Sequence, residues 1–444
     1  MIDRREDGEM IHVNGPVLRP GDAGYDEERT GFQLAGRHRP QVIVRAAGPE
    51  DVRAAVAHAA AANLPVAVQA TGHGVAVPAE EGVLISTRAM TGVRVDPAAR
   101  TAWLEAGARW GQVIDAAARH GLAPLSGSSP HVGAVGYTLG GGLGLLARRY
   151  GYAADHVRAI ELVTAGARRI RLTPDDELFP ALLGGGGNFG VVTGMEIGLV
   201  PVTRLYGGGL YFPATADVLE AWRDWTATVP EELTSAIALA PMPDLPVVPA
   251  PLRGRHIAHV RIAYTGDPSV GERLVAPLRT AGPVLMDTLR ELPYTESGSI
   301  SNDPPFAHAY RSETAMLGRL DAATAFDLAG PGAAVPCVLQ VRHLGGALAK
   351  PSPAVVGHRD AEYALYVLSV LDGHDPAAVE ETHRRLVGAL GGSGTFLNFH
   401  YGPATAEQVR AAYDADAWLR LTRLKAGHDP DNMFRFNHNI APAR

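Results

Sequence analysis

Two kinds of hydrophobic patterning alternate over the first two hundred residues of the chain. RPQVIVRA (39–46) is a short run rich in β-branched residues and predicts a strand. PEDVRAAVAHAAAAN (49–63) has apolar positions at helical spacing behind an acidic first turn, and LPVAVQA (64–70) is again strand-like. The three predict a β-α-β unit whose second strand runs into the loop QATGHG (69–74), at the carboxyl edge where open sheets hold ligands. GVLIS, GVRVD and TAWLEAG, beginning at 82, 92 and 101, predict further short strands, and WGQVIDAAARHG (110–121) a helix closed by glycine. A glycine-rich passage follows (121–151), then HVRAIELVTAG, RRIRLT, a helix DDELFPALL and the stretch GGGGNFGVVTGMEIGLVPV.

From about Thr203 the pattern changes. LYGGGLYFP, HIAHVRIAYTG (256–266), CVLQVRHLGG (337–346) and YALYVLSVL (363–371) read as well-spaced strands, with amphipathic helices at 215–229, 269–282 and 375–390. That predicts an antiparallel sheet backed on one side by helices. The turn-rich stretch 291–310 predicts a long loop. The last part, with FLNFHYG and DPDNMFRFNHNIAP, carries too many aromatics and asparagines for a solvated tail and is expected to pack back on the first domain. The expected organisation is therefore 1–202, 203–395 and a returning segment 396–444.

Composition narrows the function classes. At 444 residues and 46 % hydrophobic content the chain supports two or three well-cored parts. Its single cysteine, Cys337, excludes an intrachain disulfide and any cysteine-rich metal site, and fits a reducing compartment. Forty Lys and Arg against 47 Asp and Glu give a net charge of -7 with no basic tract, which argues against a nucleic-acid partner. The charged start MIDRREDGEM and the lack of any apolar stretch of bilayer length predict a cytosolic protein with no membrane partner. Of the 51 glycines many cluster between 121 and 194, so several loops there must pass close to one another or to a ligand.

GGGNFG, with Gly185, Gly187 and Gly190, fits the dinucleotide fingerprint G-x-G-x-x-G by spelling only. A helix precedes it and a strand follows, the reverse of the order a Rossmann turn requires. No phosphate-binding G-x-x-x-x-G-K-[ST], H-E-x-x-H or G-x-S-x-G occurs, and His256 and His259, three apart on a strand, face opposite ways; no metal site is expected. His73 lies between Gly72 and Gly74 just where a strand ends. Such a histidine is either solvated in a turn or placed where glycine lets a flat or anionic group approach. Glycine-dense loops without an acid, base or metal cage have little chemistry of their own, and their amides suit the phosphates and planar edge of a large cofactor. Close packing of helices and strands accounts for any one of these loops alone.

The ordered series QATGHG, GSSPHVGAVGYTLGGGLG, LLGGGGNFGVVT and DPDNMFRFNHNIAP, with HLGGA (343–347) and HRDAEYAL (358–365), closely resembles the berberine bridge enzyme-like oxidases of the vanillyl-alcohol oxidase superfamily, over nearly the whole chain. The resemblance implies an α+β fold: a two-part PCMH-type FAD-binding domain and an α+β substrate domain with an antiparallel sheet backed by helices. It implies FAD bound covalently through His73 to the flavin 8α carbon. Gln69, Ala70, Thr71, Gly72 and Gly74 stand where relatives read Arg-Ser-Gly-Gly and Ser around the histidine. Relatives with a second, cysteinyl tether read Gly-Thr-Cys-Pro-Thr-Val-Gly where this chain has Gly127, Ser128, Ser129, Pro130, His131, Val132 and Gly133, so a single attachment is expected. The resemblance also assigns Leu125, Gly136, Tyr137, Gly141, Gly142, Gly144, Tyr150, Gly151, Asn188, Gly190, Val192, Phe436, Asn437 and Asn439 to the cofactor.

The catalytic side departs from the relatives. Their proton-accepting Tyr-x-Asn-Tyr is Phe396, Leu397, Asn398 and Phe399 here, and a second family tyrosine is Leu143. Neither side chain carries a proton. Replacements are sought in Tyr401 and His400 just downstream, and in Gln340, Arg342 and His343 on one strand, where alternation puts Gln340 and Arg342 together and His343 opposite. The expected activity is oxidation of a small organic substrate at a C–H next to O or N, with hydride passing to flavin N5 and O2 reduced to hydrogen peroxide. The alternatives are a flavin-dependent cyclase or dehydrogenase of secondary metabolism, or a flavin-free binding protein. The chain is expected to act as a monomer or homodimer.

Overall fold

The computed structural model describes residues 11–443, and the charged stretch MIDRREDGEM lies outside them. The predicted β-α-β unit is present as strand Val42–Arg45, helix Pro49–Ala61 and strand Val66–Gln69. Pro49 opens the helix with Glu50 and Asp51 in its first turn, and Val52, Ala55, Val56 and Ala59 form its buried stripe. The two strands are not neighbours. Val83–Ser86 lies between them, parallel to both, and Val17–Leu18 closes the other edge antiparallel, giving a sheet of four.

A second sheet of five strands is antiparallel throughout, in the order Val93–Asp96, Thr101–Glu105, Val191–Gly198, Val157–Val163 and Arg169–Leu172. Helix Trp110–Ala118 buries Trp110, Val113, Ile114 and Ala117, the i, i+3, i+4, i+7 face its sequence spells. Inside the glycine-rich passage the chain forms a short helix, Ala134–Leu139, which its glycines obscure in the sequence.

The third sheet has eight strands, all antiparallel. Its middle runs Arg204–Pro213, His256–Tyr264, Leu233–Pro241, Val338–His343, Tyr363–Val370 and Tyr310–Leu317. Helices Ala216–Thr226, Pro268–Val275, Ala322–Ala329 and Pro376–Ala389 accompany it. Their apolar faces meet one side of the sheet in a core that includes Phe212, Trp222, Val260, Leu339, Val341 and Val367. The stretch 291–310 is not one long loop: Arg290–Pro293 pairs with Arg204–Gly207, a tight helical segment follows to Ile300, and only the remainder is irregular.

The end of the chain returns to the first two sheets. Val66 N–H donates to Met433 O at 3.0 Å, and Ile440 N–H to the Asn188 side chain at 2.9 Å. Fully buried Lys425 donates to Asp429 (2.7 Å), Asn188 O (2.7 Å) and Phe434 O (3.1 Å), while Asp429 accepts from Met433 and Phe434 N–H. The Lys425 ammonium, held by Asp429, ties the glycine loop at 184–190 to the returning segment through Asn188 O. Among the described residues no helix is long and apolar enough to cross a membrane.

Candidate active site

A cleft of about 480 Å³ is lined by loops of the two smaller sheets, by the helix-free face of the large sheet and by the returning segment. The loop after Val66–Gln69 enters it. Gly72 has φ +68°, and a Cβ there would collide with Gly31. Phe32 and Gln33 donate their N–H groups to Thr71 O (3.0 Å) and Gly72 O (2.9 Å). Gly72 is thus demanded by two chain segments that touch. Gly74 is different, since a Cβ there would meet only Tyr401 Cε1, at 3.9 Å.

His73 is held from three sides. Its ring stacks on Phe32 with centroids 3.9 Å apart, its Nδ1 lies 2.8 Å from Thr71 Oγ1, and its carbonyl accepts from the Tyr310 hydroxyl at 2.8 Å. The remaining ring nitrogen, Nε2, is buried with no hydrogen-bond partner. Burial, and after it the charges of Arg109, His131 and His308, lower the His73 pKa to about 4. The imidazole is therefore neutral at physiological pH, the form in which it is a nucleophile.

Gln69, Ala70, Thr71, Gly72, His73, Gly74, Gly127, Ser128, Ser129, Val132, Gly133, Gly136, Tyr137, Asn188, Gly190, Val192, Phe436 and Asn437 line the cleft. Leu125, Gly141, Gly142, Gly144, Tyr150, Gly151 and Asn439 lie outside its lining. Leu125 is a core residue, Gly142 makes room for the ring of Tyr137 and for Ala153, and Gly144 for the Ser126 carbonyl. Gly141 abuts Val356 and Phe396, and Gly151 abuts Asp155. At each of these four glycines the space of a would-be Cβ is taken by protein atoms. The Asn188 side chain is also engaged within the protein, donating to Gly185 O and His438 O.

Arg342, Gln340, Tyr401 and His400 line the cleft, and His343 does not; its ring sits 5.9 Å from Tyr363. At the altered tyrosine positions Phe396 is buried against Tyr152, whereas Leu143 and Phe399 reach the cleft. Sequence reasoning passed over Phe32, Asp303, His308, Tyr310, Tyr366 and His438, all of which line it. Tyr366 is carried there by register, directly opposite Gln340. Tyr401 packs edge-on against Tyr310 (5.2 Å) and Tyr366 (6.1 Å). Burial, opposed by Arg342 and reinforced by Asp303, pushes the Tyr401 pKa up to about 12, so its hydroxyl stays protonated.

The comparisons with known proteins agree with this geometry. A family model described as an FAD binding domain matches residues 40–173. (R)-6-Hydroxynicotine oxidase of Paenarthrobacter nicotinovorans is 30 % identical over 97 % of this chain and 98 % of its own length. Berberine bridge enzyme-like D-1 of Nicotiana tabacum is 33 % identical over 39 % of this chain and 32 % of its own. The solved structure of 6-hydroxy-D-nicotine oxidase from Arthrobacter nicotinovorans superposes with a TM-score of 0.85 at 24 % identity, covering 99 % of this chain and all of that one, which shows the shared fold. The architecture is that of a PCMH-type FAD-binding oxidase. The chain belongs to the berberine bridge enzyme-like FAD-linked oxidoreductases and is a flavin-dependent enzyme.

The residues present fit FAD. Gly136, Gly186 and Gly187 have nothing within 4 Å of where a Cβ would stand, so a ligand can come against bare backbone there. Buried atoms left without partners, His73 Nε2, Gln340 Nε2 and Asn437 Oδ1, belong to residues of the same cleft, where a polar ligand would satisfy them.

Proposed function

We propose that the chain is an oxidase carrying FAD covalently on His73 and acting on a small organic molecule held against the open face of the large sheet. The observation that carries this reading is the buried, partnerless Nε2 of a neutral imidazole at the cleft wall. With Nδ1–H donating to Thr71 Oγ1, Nε2 would be the atom of His73 that holds the flavin, at its 8α carbon. Phe32 fixes the ring plane, and the Tyr310 hydroxyl fixes the backbone that bears it. When bound, FAD supplies a two-electron acceptor, N5, for hydride from a substrate C–H next to O or N, and O2 takes the electrons on as hydrogen peroxide.

The protein's own part is to bind, orient and exclude water. Tyr366, Tyr401, Phe399 and Tyr310 form an aromatic wall suited to a planar substrate. Phe396 and Leu143 supply no base, which favours substrates that lose a proton readily, such as amines and phenols, and a place among tailoring oxidations of secondary metabolism. A cytosolic setting fits the single buried Cys337. On a denaturing gel, the wild-type band should fluoresce as flavin and the His73→Ala band should be dark. A yellow native protein whose wild-type band is dark would refute the tether.

A further inference from the structure

The open face of the large sheet carries two parallel rows of residues that the strand register fixes. Ala236 is paired on one side with Arg261 and on the other with Arg342, and Arg342 is paired in turn with Ala364. Directly opposite residues in an antiparallel sheet point to the same face, so the row Arg261, Ala236, Arg342, Ala364 sets two arginines on one side with only alanines beside them. Two strand spacings separate the two arginine backbones by about 10 Å, well within the combined reach of two such side chains. The adjacent row, His259, Ala238, Gln340 and Tyr366, faces the same way.

The charges in this patch are not balanced. Among the described residues neither arginine has a carboxylate partner, and Arg342 Nε is buried without any hydrogen bond. Arg342 lies over the Phe399 ring at 4.7 Å, and Arg261 donates only to His259 Nδ1 at 3.3 Å. Gln340, 5 % exposed, has its Nε2 unpartnered. Burial and then Arg261 lower the Arg342 pKa, with Tyr137, Asp303 and Tyr401 opposing. Burial, then Arg261, holds His259 neutral. The nearest acid, Asp303, is already accepting from Ser128 Oγ at 2.5 Å. Gln340, Arg342 and Leu143 line both the main cleft and a small recess that Arg261 and Ala236 enclose.

We propose that Arg342, backed by Arg261 and flanked by Gln340, binds a carboxylate of the substrate, whose remainder lies along Tyr366, Tyr401 and Phe399. A planar guanidinium fork matches a carboxylate in two parallel hydrogen bonds, and the Gln340 amide offers a third donor. A cationic group at this end of the cleft would meet two uncompensated guanidinium groups instead and would be repelled, so any amine of the substrate lies at the other end. The substrate class is thus an aromatic or unsaturated carboxylic acid bearing the oxidisable C–H. This inference rests on reading the cleft as the joint seat of flavin and substrate.

The test is calorimetric titration of the purified protein with benzoate and with benzamide, its neutral isostere, while flavin is read separately from its visible absorbance. Benzoate should bind at least about tenfold tighter than benzamide, a difference of roughly 1.4 kcal/mol. Arg342→Met should remove that preference, bringing benzoate down to the affinity of benzamide, Arg261→Met should reduce it by about threefold, and Arg342→Lys, which keeps the charge but not the fork, should fall between. Equal binding of benzoate and benzamide to the wild type would overturn the assignment, and that arm needs no variant to fold. So would an Arg342→Met protein that binds benzoate as before while its ligand-free flavin spectrum shifts, which would give Arg342 to the cofactor. A protein that prefers benzoate but carries no flavin would instead overturn the flavin reading and leave the carboxylate site standing.

Discussion

On one wall of the cleft a ligand meets bare backbone at Gly136, Gly186 and Gly187; on the opposite wall it meets the side chains of Gln340, Arg342, Tyr366 and Tyr401. The first wall is built by loops whose conformation only certain residues can adopt, so its sequence is constrained residue by residue. The second is a regular antiparallel face on which alternate positions can change without disturbing the strands, because the helix-side residues Leu339, Val341, Leu365 and Val367 hold the sheet. On the function proposed above, the first wall holds the cofactor and the second selects the substrate.

The sharpest way to break this contrast is at Lys425, which joins the glycine loop to the returning segment. Lys425→Met leaves Asp429 buried and uncompensated, and should lower unfolding stability by about 3–5 kcal/mol in denaturant titration. Little change there would mean that the returning segment is not anchored as described. Next in size is Gly187→Leu. Its φ is ordinary and its would-be side chain meets open space, so the fold should stand while the leucine enters the cleft. FAD content at purification should fall several-fold with an unchanged melting temperature of the flavin-free protein; full FAD content would show that the space is not the cofactor's.

Smaller still is Tyr310→Phe, which removes one hydrogen bond to the His73 carbonyl and should cost about 1 kcal/mol of stability while slowing flavin attachment. The gentlest probe is pH. His38, His383 and His438 have pKa values lowered to about 4, in each case chiefly by burial, against an ordinary value of 6.5. Between these limits the unfolded chain binds protons that the folded chain refuses, so stability is retained above about pH 6.5 and falls as pH drops toward 4. Melting temperature should decline through that window. His438→Asn, on the cofactor side, and His383→Asn, behind the sheet, should each flatten the decline by one proton's worth.

Much of the cofactor wall was legible in the sequence because glycine spacing and strand ends are local properties. The strand at 66–69, the His73 loop and the order of helix and strand about GGGNFG all follow from residues close together in the chain. At Gly142, Gly144 and Gly151 the local signal is ambiguous, since a glycine hemmed in by Tyr137, Ser126 or Asp155 spells the same as one that faces a ligand. The substrate wall was legible in alternation only. Period two separates Gln340 and Arg342 from His343, yet the level at which Arg342 meets Arg261 across Ala236 is set by register between strands about 80 residues apart, which no local pattern encodes. The strands Leu233–Pro241 and Tyr310–Leu317 and the helix Ala322–Ala329 were passed over, although the first of them is the strand that brings the two arginines into one row.

The most direct measurement is the mass of the intact wild-type chain under denaturing conditions, with peptide mapping of any adduct. The wild-type chain should be heavier by one FAD, with the flavin carried by the peptide containing His73, and His73→Ala should have an unmodified mass. A wild-type chain of unmodified mass, or flavin found on another residue, would contradict the tether through His73.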